Sequence, residues 1–142
     1  MVNMSLQETI DKIKKEHEWI EGMLIEAIKY LLSNNEAIFL EKREEYNSEI
    51  NKFLDNFENL IKQHYKFEEE IFFPLLPKRY EDDVKELIEE HNNILSKVHS
   101  IKETGIDKIV DKINSLKELY EISRDHVRKE NIIINKLDKE KH

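Results

Sequence analysis

In the stretch HYKFEEEIFFP, an imidazole and a carboxylate, His64 and Glu68, stand four residues apart among phenylalanines. The same spacing recurs at His126 and Glu130. Residues four apart share one helix face, so on a helix each pair points the same way. A carboxylate on a core-facing stripe is costly unless something pairs with it. Two more histidines lie on apolar stripes. His17 is four after Ile13 and three before Ile20, and His91 is four after Leu87 and four before Leu95. Neutral imidazoles and carboxylates together are ligands for divalent first-row metals such as iron, manganese, zinc and copper.

The elements that must position these residues are helices. The first segment, about 5–33, opens on the capping box SLQE, Ser5 to Glu8, and carries Leu6, Ile10, Ile13, Ile20, Leu24, Ile28 and Leu31 at helical steps. The second, about 37–73, has Ile50, Phe53, Phe57, Leu60 and Ile71 on its inner face and is stopped by PLLP, Pro74 to Pro77. The third, about 80–103, runs on Val84, Leu87, Leu95 and Val98 and closes at Gly105. The fourth, about 106–139, runs on Ile109, Ile113, Leu116, Tyr120, Ile133 and Leu137. Four amphipathic segments with short connections predict an all-α fold, an antiparallel up-down-up-down four-helix bundle, with 1–142 as one domain.

In such a bundle the four histidines fall one per segment, roughly 10–14 residues from a common end, or about 15–21 Å at the helical rise. They can share one layer. The HxxxE spacing alone is weak, since Glu21 follows His17 at the same interval. What carries weight is four inward histidines at one depth, two with a carboxylate beside them. Six such ligands are too many for one tetrahedral zinc. They suit two metal ions, each with two imidazoles, bridged by both carboxylates and by an oxide, hydroxide or water. A bridging carboxylate is no longer an unpaired buried charge. One open position per ion would accept a small exogenous ligand such as dioxygen, nitric oxide or peroxide.

The order H…HxxxE…H…HxxxE, at His17, His64 to Glu68, His91 and His126 to Glu130, resembles the hemerythrin-like (HHE cation-binding) family over nearly the whole chain. The resemblance implies two iron ions inside a four-helix bundle, with His17, His64, His91 and His126 as terminal ligands and Glu68 and Glu130 as bridges. Oxygen-carrying hemerythrins have a second histidine one turn after the third-helix one, where this chain has Leu95, and HxxxxD on the last helix, where it has HxxxE. The pattern is closer to the His4Glu2 branch, which includes repair-of-iron-centres proteins linked to nitrosative and oxidative stress. Those usually carry a cysteine-bearing N-terminal domain, and this sequence has no cysteine.

The remaining residues are assigned by phase. Glu21 is a solvated flank residue, an acceptor for a ligand imidazole or an extra ligand. Glu69 and Glu70 face solvent, Tyr120 packs in the core or lines the pocket, and Trp19 packs at a helix interface. Phe67, Phe72, Ile94 and Leu95 form the apolar wall, His99 lies on the surface, and His142 is terminal. A net charge of −8 without a basic block argues against nucleic acid or an anionic membrane as partner. With no long apolar run and no leader pattern, a cytoplasmic protein is expected. The leading functional expectation is a di-iron protein that binds or reduces dioxygen, peroxide or nitric oxide with an unidentified electron donor. The alternatives are a non-catalytic module that senses, stores or binds iron or oxygen, and a bundle without metal.

Overall fold

A computed structural model describes residues 4–140 of the chain; His142 lies outside them. Among the described residues the chain is all-α, with four long helices and one short one. Helix α1, Leu6–Leu32, begins at the expected capping box: Glu8 N–H donates to the Ser5 hydroxyl at 3.1 Å, and Ser5 N–H donates to the Glu8 carboxylate at 3.5 Å. The second expected segment is not one helix. Helix α2, Glu36–Glu41, is capped by Asn35 and ends at Lys42, and α3, Arg43–Phe67, starts just beyond. The break directs Phe39 onto Tyr46, ring centroids 5.0 Å apart, and brings α2 against the last long helix, α5, Ile109–Glu140.

Helix α3 then runs into a wide π turn, Glu68–Phe72, in which Phe73 N–H donates to the Glu68 carbonyl five residues back. Such a turn inserts a residue relative to α-helical phase. The expected inner-face assignment of Ile71 is corrected: it is only half-buried, while Phe72, four after Glu68, and Phe73 are buried. Leu54 and Ile61 are fully buried, whereas the expected Phe53 and Leu60 pack at the edge of the core. Pro74 sits in the 3-10 turn Phe73–Leu75 that ends the run. Helices α4, Glu81–Glu103, and α5 match the expected third and fourth segments closely. Gly105 has φ −77°, so α4 stops without a left-handed glycine.

Helix α1 packs on α3 and α5, and α4 packs on the same two, so the four long helices close a bundle. The core falls into two clusters. One holds Ile20, Leu24, Phe57, Ile94, Val98 and Leu119. The other holds Ile10, Ile13, Phe72, Phe73, Leu87 and Ile134. Between the clusters lie His17 on α1, His91 on α4, Glu68 at the end of α3 and Glu130 on α5, with His64 and His126 one turn before the two glutamates. No helix among the described residues is long and apolar enough to cross a membrane.

Two positions depart from their pattern. Trp19 is 51% exposed, with Lys15 Nζ 5.6 Å from its ring centre, so it does not pack at a helix interface. Lys112 is buried, and its ammonium donates to the Thr104 carbonyl at 2.9 Å, at the end of α4. A cation there meets the negative end of the helix dipole. Burial nevertheless lowers its pKa from the ordinary 10.5.

Phe57→Ala should destabilise the fold by about 3–5 kcal/mol in urea denaturation, while Trp19→Ala should change it by less than about 0.5 kcal/mol. Because the folded state holds its proton on Lys112 less tightly than the unfolded chain, stability should rise between the lowered pKa and 10.5. Denaturation of the native chain and Lys112→Met across that window should show the native chain gaining on the variant as pH rises.

Candidate metal centre

Each long helix contributes one histidine, and two of them add a carboxylate. His17 comes from α1, His64 from α3 with Glu68 at the start of the π turn, His91 from α4, and His126 and Glu130 from α5. All six side chains are buried, with Glu68 and His91 fully inaccessible. The structure thus brings together all six predicted residues in two overlapping groups. His17, His64, Glu68 and Glu130 form one, and Glu68, His91, His126 and Glu130 the other; within each, one ligand atom per residue lies within 4.8 Å of the rest. Both glutamates belong to both groups.

The inward atoms are close but unpaired. His64 Nε2 lies 3.1 Å from Glu68 Oε1, and His91 Nε2 lies 3.2 Å from the same oxygen. His17 Nε2 is 3.8 Å from Glu68 Oε2 and 3.6 Å from Glu130 Oε2, and His126 Nε2 approaches Glu130 Oε1. None of these contacts is a hydrogen bond of acceptable geometry. The four Nε2 atoms and all four carboxylate oxygens of Glu68 and Glu130 are buried without a hydrogen-bond partner. Orphaned buried polar atoms are rare in native structures and require an explanation. Metal binding at the two groups would supply one, since every orphan is a good donor atom for a metal ion.

The opposite edge of each imidazole is fully satisfied. His17 Nδ1 meets Asn131 Oδ1, His64 Nδ1 meets Glu16, His91 Nδ1 meets Glu69, and His126 Nδ1 meets Glu90, each at 2.8 Å. A carboxylate only accepts, so its partner Nδ1 must carry the proton. In the neutral form of each such ring the lone pair is then on Nε2, facing the centre. Two of the outer carboxylates are themselves held: Lys12 pairs with Glu16 at 2.8 Å, and Lys129 pairs with Glu90.

Electrostatics distinguish the members. Burial raises the pKa of the Glu68 carboxyl, but the nearby imidazoles of His64, His17 and His91 outweigh it and hold it well below 4.5. For His64, burial pushes down, while Glu68 and Glu16 push up and prevail. His126 is lowered to about 4 by burial and by the charge of His91, against the pull of Glu90. Burial and then the Glu68 and Glu90 charges push the Tyr65 phenol upward, so it stays protonated.

Comparison with protein families matched residues 8–137 to the hemerythrin HHE cation binding domain. The chain belongs to the hemerythrin HHE cation-binding domain family. Searches of curated proteins and of solved structures gave no match. The match spans all six clustered residues, so the hemerythrin family's helical fold and the His/Glu cluster coincide in one part of the chain.

The surroundings of this hemerythrin-family cluster differ from the sequence expectation in several places. Glu69 is not a bystander: its side chain is 37% exposed, yet one oxygen accepts from His91. Glu70 remains exposed. Glu21 makes no bond to a ligand imidazole among the described residues; it lines a groove with Tyr120, Arg124 and Arg128. Ile94 and Phe72 are buried as expected, but Phe67 and Leu95 only flank the clusters. The rings nearest the centre are others. Tyr65 stacks on His91 with centroids 3.7 Å apart, and Phe73 lies nearly parallel to the same imidazole at 5.8 Å. His99 is on the surface, paired with Glu103. A signal for the outer partners was present: Glu16, Glu69, Glu90 and Asn131 are each the immediate chain neighbour of a clustered residue.

Removing an outer carboxylate should loosen the ring it holds. Glu90→Gln and Glu69→Gln should each weaken metal retention by about 10–100-fold, while Glu70→Gln should not. Competition with a chelator, with metal analysis of the recovered protein, checks this.

Proposed function

We propose that the two overlapping groups hold a pair of metal ions, with His17 and His64 on one, His91 and His126 on the other, and Glu68 and Glu130 bridging. The observation that carries this reading is the set of eight buried, unpaired atoms facing one another at a single level of the core. Iron is the proposed metal, because a mixed imidazole and carboxylate set suits it and because the chain belongs to the hemerythrin family. When bound, such a pair supplies redox chemistry toward a small oxidant. Four His and two Glu form a ligand set of the His4Glu2 kind.

The chain's own residues define what reaches the centre. Tyr65 and Phe73 cover the His91 ring, and Phe72 and Ile94 close the apolar sides, so bulk water and large substrates are excluded. The outer acceptors keep the Nδ1 protons in place and the Nε2 lone pairs inward. Each group offers two imidazoles and two shared carboxylates, which leaves room for a small additional ligand. We therefore infer a protein that binds or reduces dioxygen, peroxide or nitric oxide, with an electron donor of its own for any reductive turnover.

The positions that meet support an antiparallel up-down-up-down arrangement of one domain. Between α1 and α3, His17 meets His64 while Tyr30 meets Tyr46. Between α3 and α4, Tyr65 meets His91 while Asp55 meets Lys102. Between α4 and α5, Glu86 meets Lys129 while Lys97 meets Glu118. Between α1 and α5, Lys14 meets Asp138 while His17 meets Asn131. In each pair, numbers rise along one helix as they fall along the other.

Metal analysis and an absorption spectrum on one sample test the proposal. About two irons per chain with near-ultraviolet charge-transfer bands are expected, and both should fall sharply in His64→Ala and Glu130→Ala. Protein made with ample iron that retains none would overturn the metal reading. Catalytic consumption of peroxide or nitric oxide would identify an enzyme, and reversible binding without turnover a carrier or sensor.

A further inference from the structure

A second polar site lies outside the cluster, in the groove between α1 and α5. Its lining is Glu21, Leu24 and Ile25 from α1 and Tyr120, Arg124 and Arg128 from α5, around a cavity of about 260 Å³. Arg124 and Arg128 are four apart, so both guanidinium groups lie on one face of α5. The Arg124 guanidinium sits 5.9 Å from the Tyr120 ring centre. Among the described residues, none of Glu21, Arg124 and Arg128 makes an ion pair within 4.0 Å. Some other surface cations on these helices do, as Lys14 does with Asp138 and Lys129 with Glu86. Two guanidinium groups without an ion pair thus line one cavity, beside a single carboxylate.

We propose that this groove binds a small organic monocarboxylate with an apolar tail. Two guanidinium groups and one carboxylate leave the cavity with a single positive charge, which one carboxylate balances. Planar guanidinium groups match a carboxylate with paired hydrogen bonds, and the Tyr120 hydroxyl is a further donor at the same cavity. The tail lies on Ile25, which is 42% exposed in the free protein and would be covered. Glu21 sets the charge limit: it disfavours a dianion such as phosphate and makes the site selective for one negative charge. Bound metal is no part of this site, so its occupancy is independent of the proposal for the cluster.

The test uses the full chain with its metal content measured in the same sample. Sodium hexanoate, sodium acetate and inorganic phosphate are titrated separately at constant ionic strength, and binding is read from amide and arginine side-chain NMR shifts. Hexanoate should give saturable shifts confined to the six lining residues, with acetate and phosphate weaker. The double variant Arg124→Gln/Arg128→Gln should lose affinity by about tenfold or more. Glu21→Gln should bind hexanoate more tightly, a gain that misfolding cannot produce. The proposal is overturned if hexanoate gives no saturable shift on the order of tens of millimolar. It is equally overturned if the double variant binds as well as the native chain, if Glu21→Gln leaves affinity unchanged, or if phosphate matches hexanoate.

Discussion

Six polar side chains share one dry level of this bundle, and the rest of the structure is organised around making that tolerable. An unpaired carboxylate in an apolar interior is costly, and two facing each other are worse. Apolar clusters lie on both sides of the level, so the polar groups cannot turn outward to water without dragging the helices that pack above and below them. The groups therefore face inward and present their donor atoms to one another. Cations held between them, as proposed, would convert that cost into coordination.

The outer hydrogen bonds explain how the rings keep that orientation. The Glu16 carboxylate of α1 holds His64 of α3, and Glu69 beyond α3 holds His91 of α4. Glu90 of α4 holds His126 of α5, and Asn131 of α5 holds His17 of α1. The chain of contacts closes on itself around the bundle. Each helix thus supplies one inward ring and, from a residue adjacent to a clustered one, an anchor for a neighbour's ring. Three anchors are carboxylates and one is a neutral amide, so His17 alone lacks a charged partner on its outer edge. A ring anchored this way cannot rotate to put its N–H inward, which leaves the cluster with its lone pairs preset.

The π turn at Glu68–Phe72 serves the same arrangement. It begins at a clustered carboxylate and shifts the helical phase of the later residues by one position. Glu68 keeps the phase of His64 and faces the centre, Glu69 reaches His91, and beyond the inserted residue Phe72 and Phe73 close the apolar side. The inserted residue lets two consecutive rings, Phe72 and Phe73, both be buried.

The amino-acid sequence by itself determined the helices, their approximate limits and the six inward groups. Those features come from the 3.6-residue period and from capping and proline chemistry, which act within one helix. His17, His64, His91 and His126 could be placed in one layer by counting from a common end, without knowing any contact. Tertiary structure decided what depends on how one helix is rotated and offset against another. It alone gives Glu16, Glu69, Glu90 and Asn131 their roles, because the rings they hold lie on different helices. Lys112 reads as an ordinary surface lysine until the end of α4 is brought over it, and Trp19 as a packing residue until its face of α1 is left uncovered. The break at Lys42 has no glycine or proline to announce it, because the packing of Phe39 on Tyr46 and α5 sets it. Local periodicity says which way a side chain points; only packing says what it meets there.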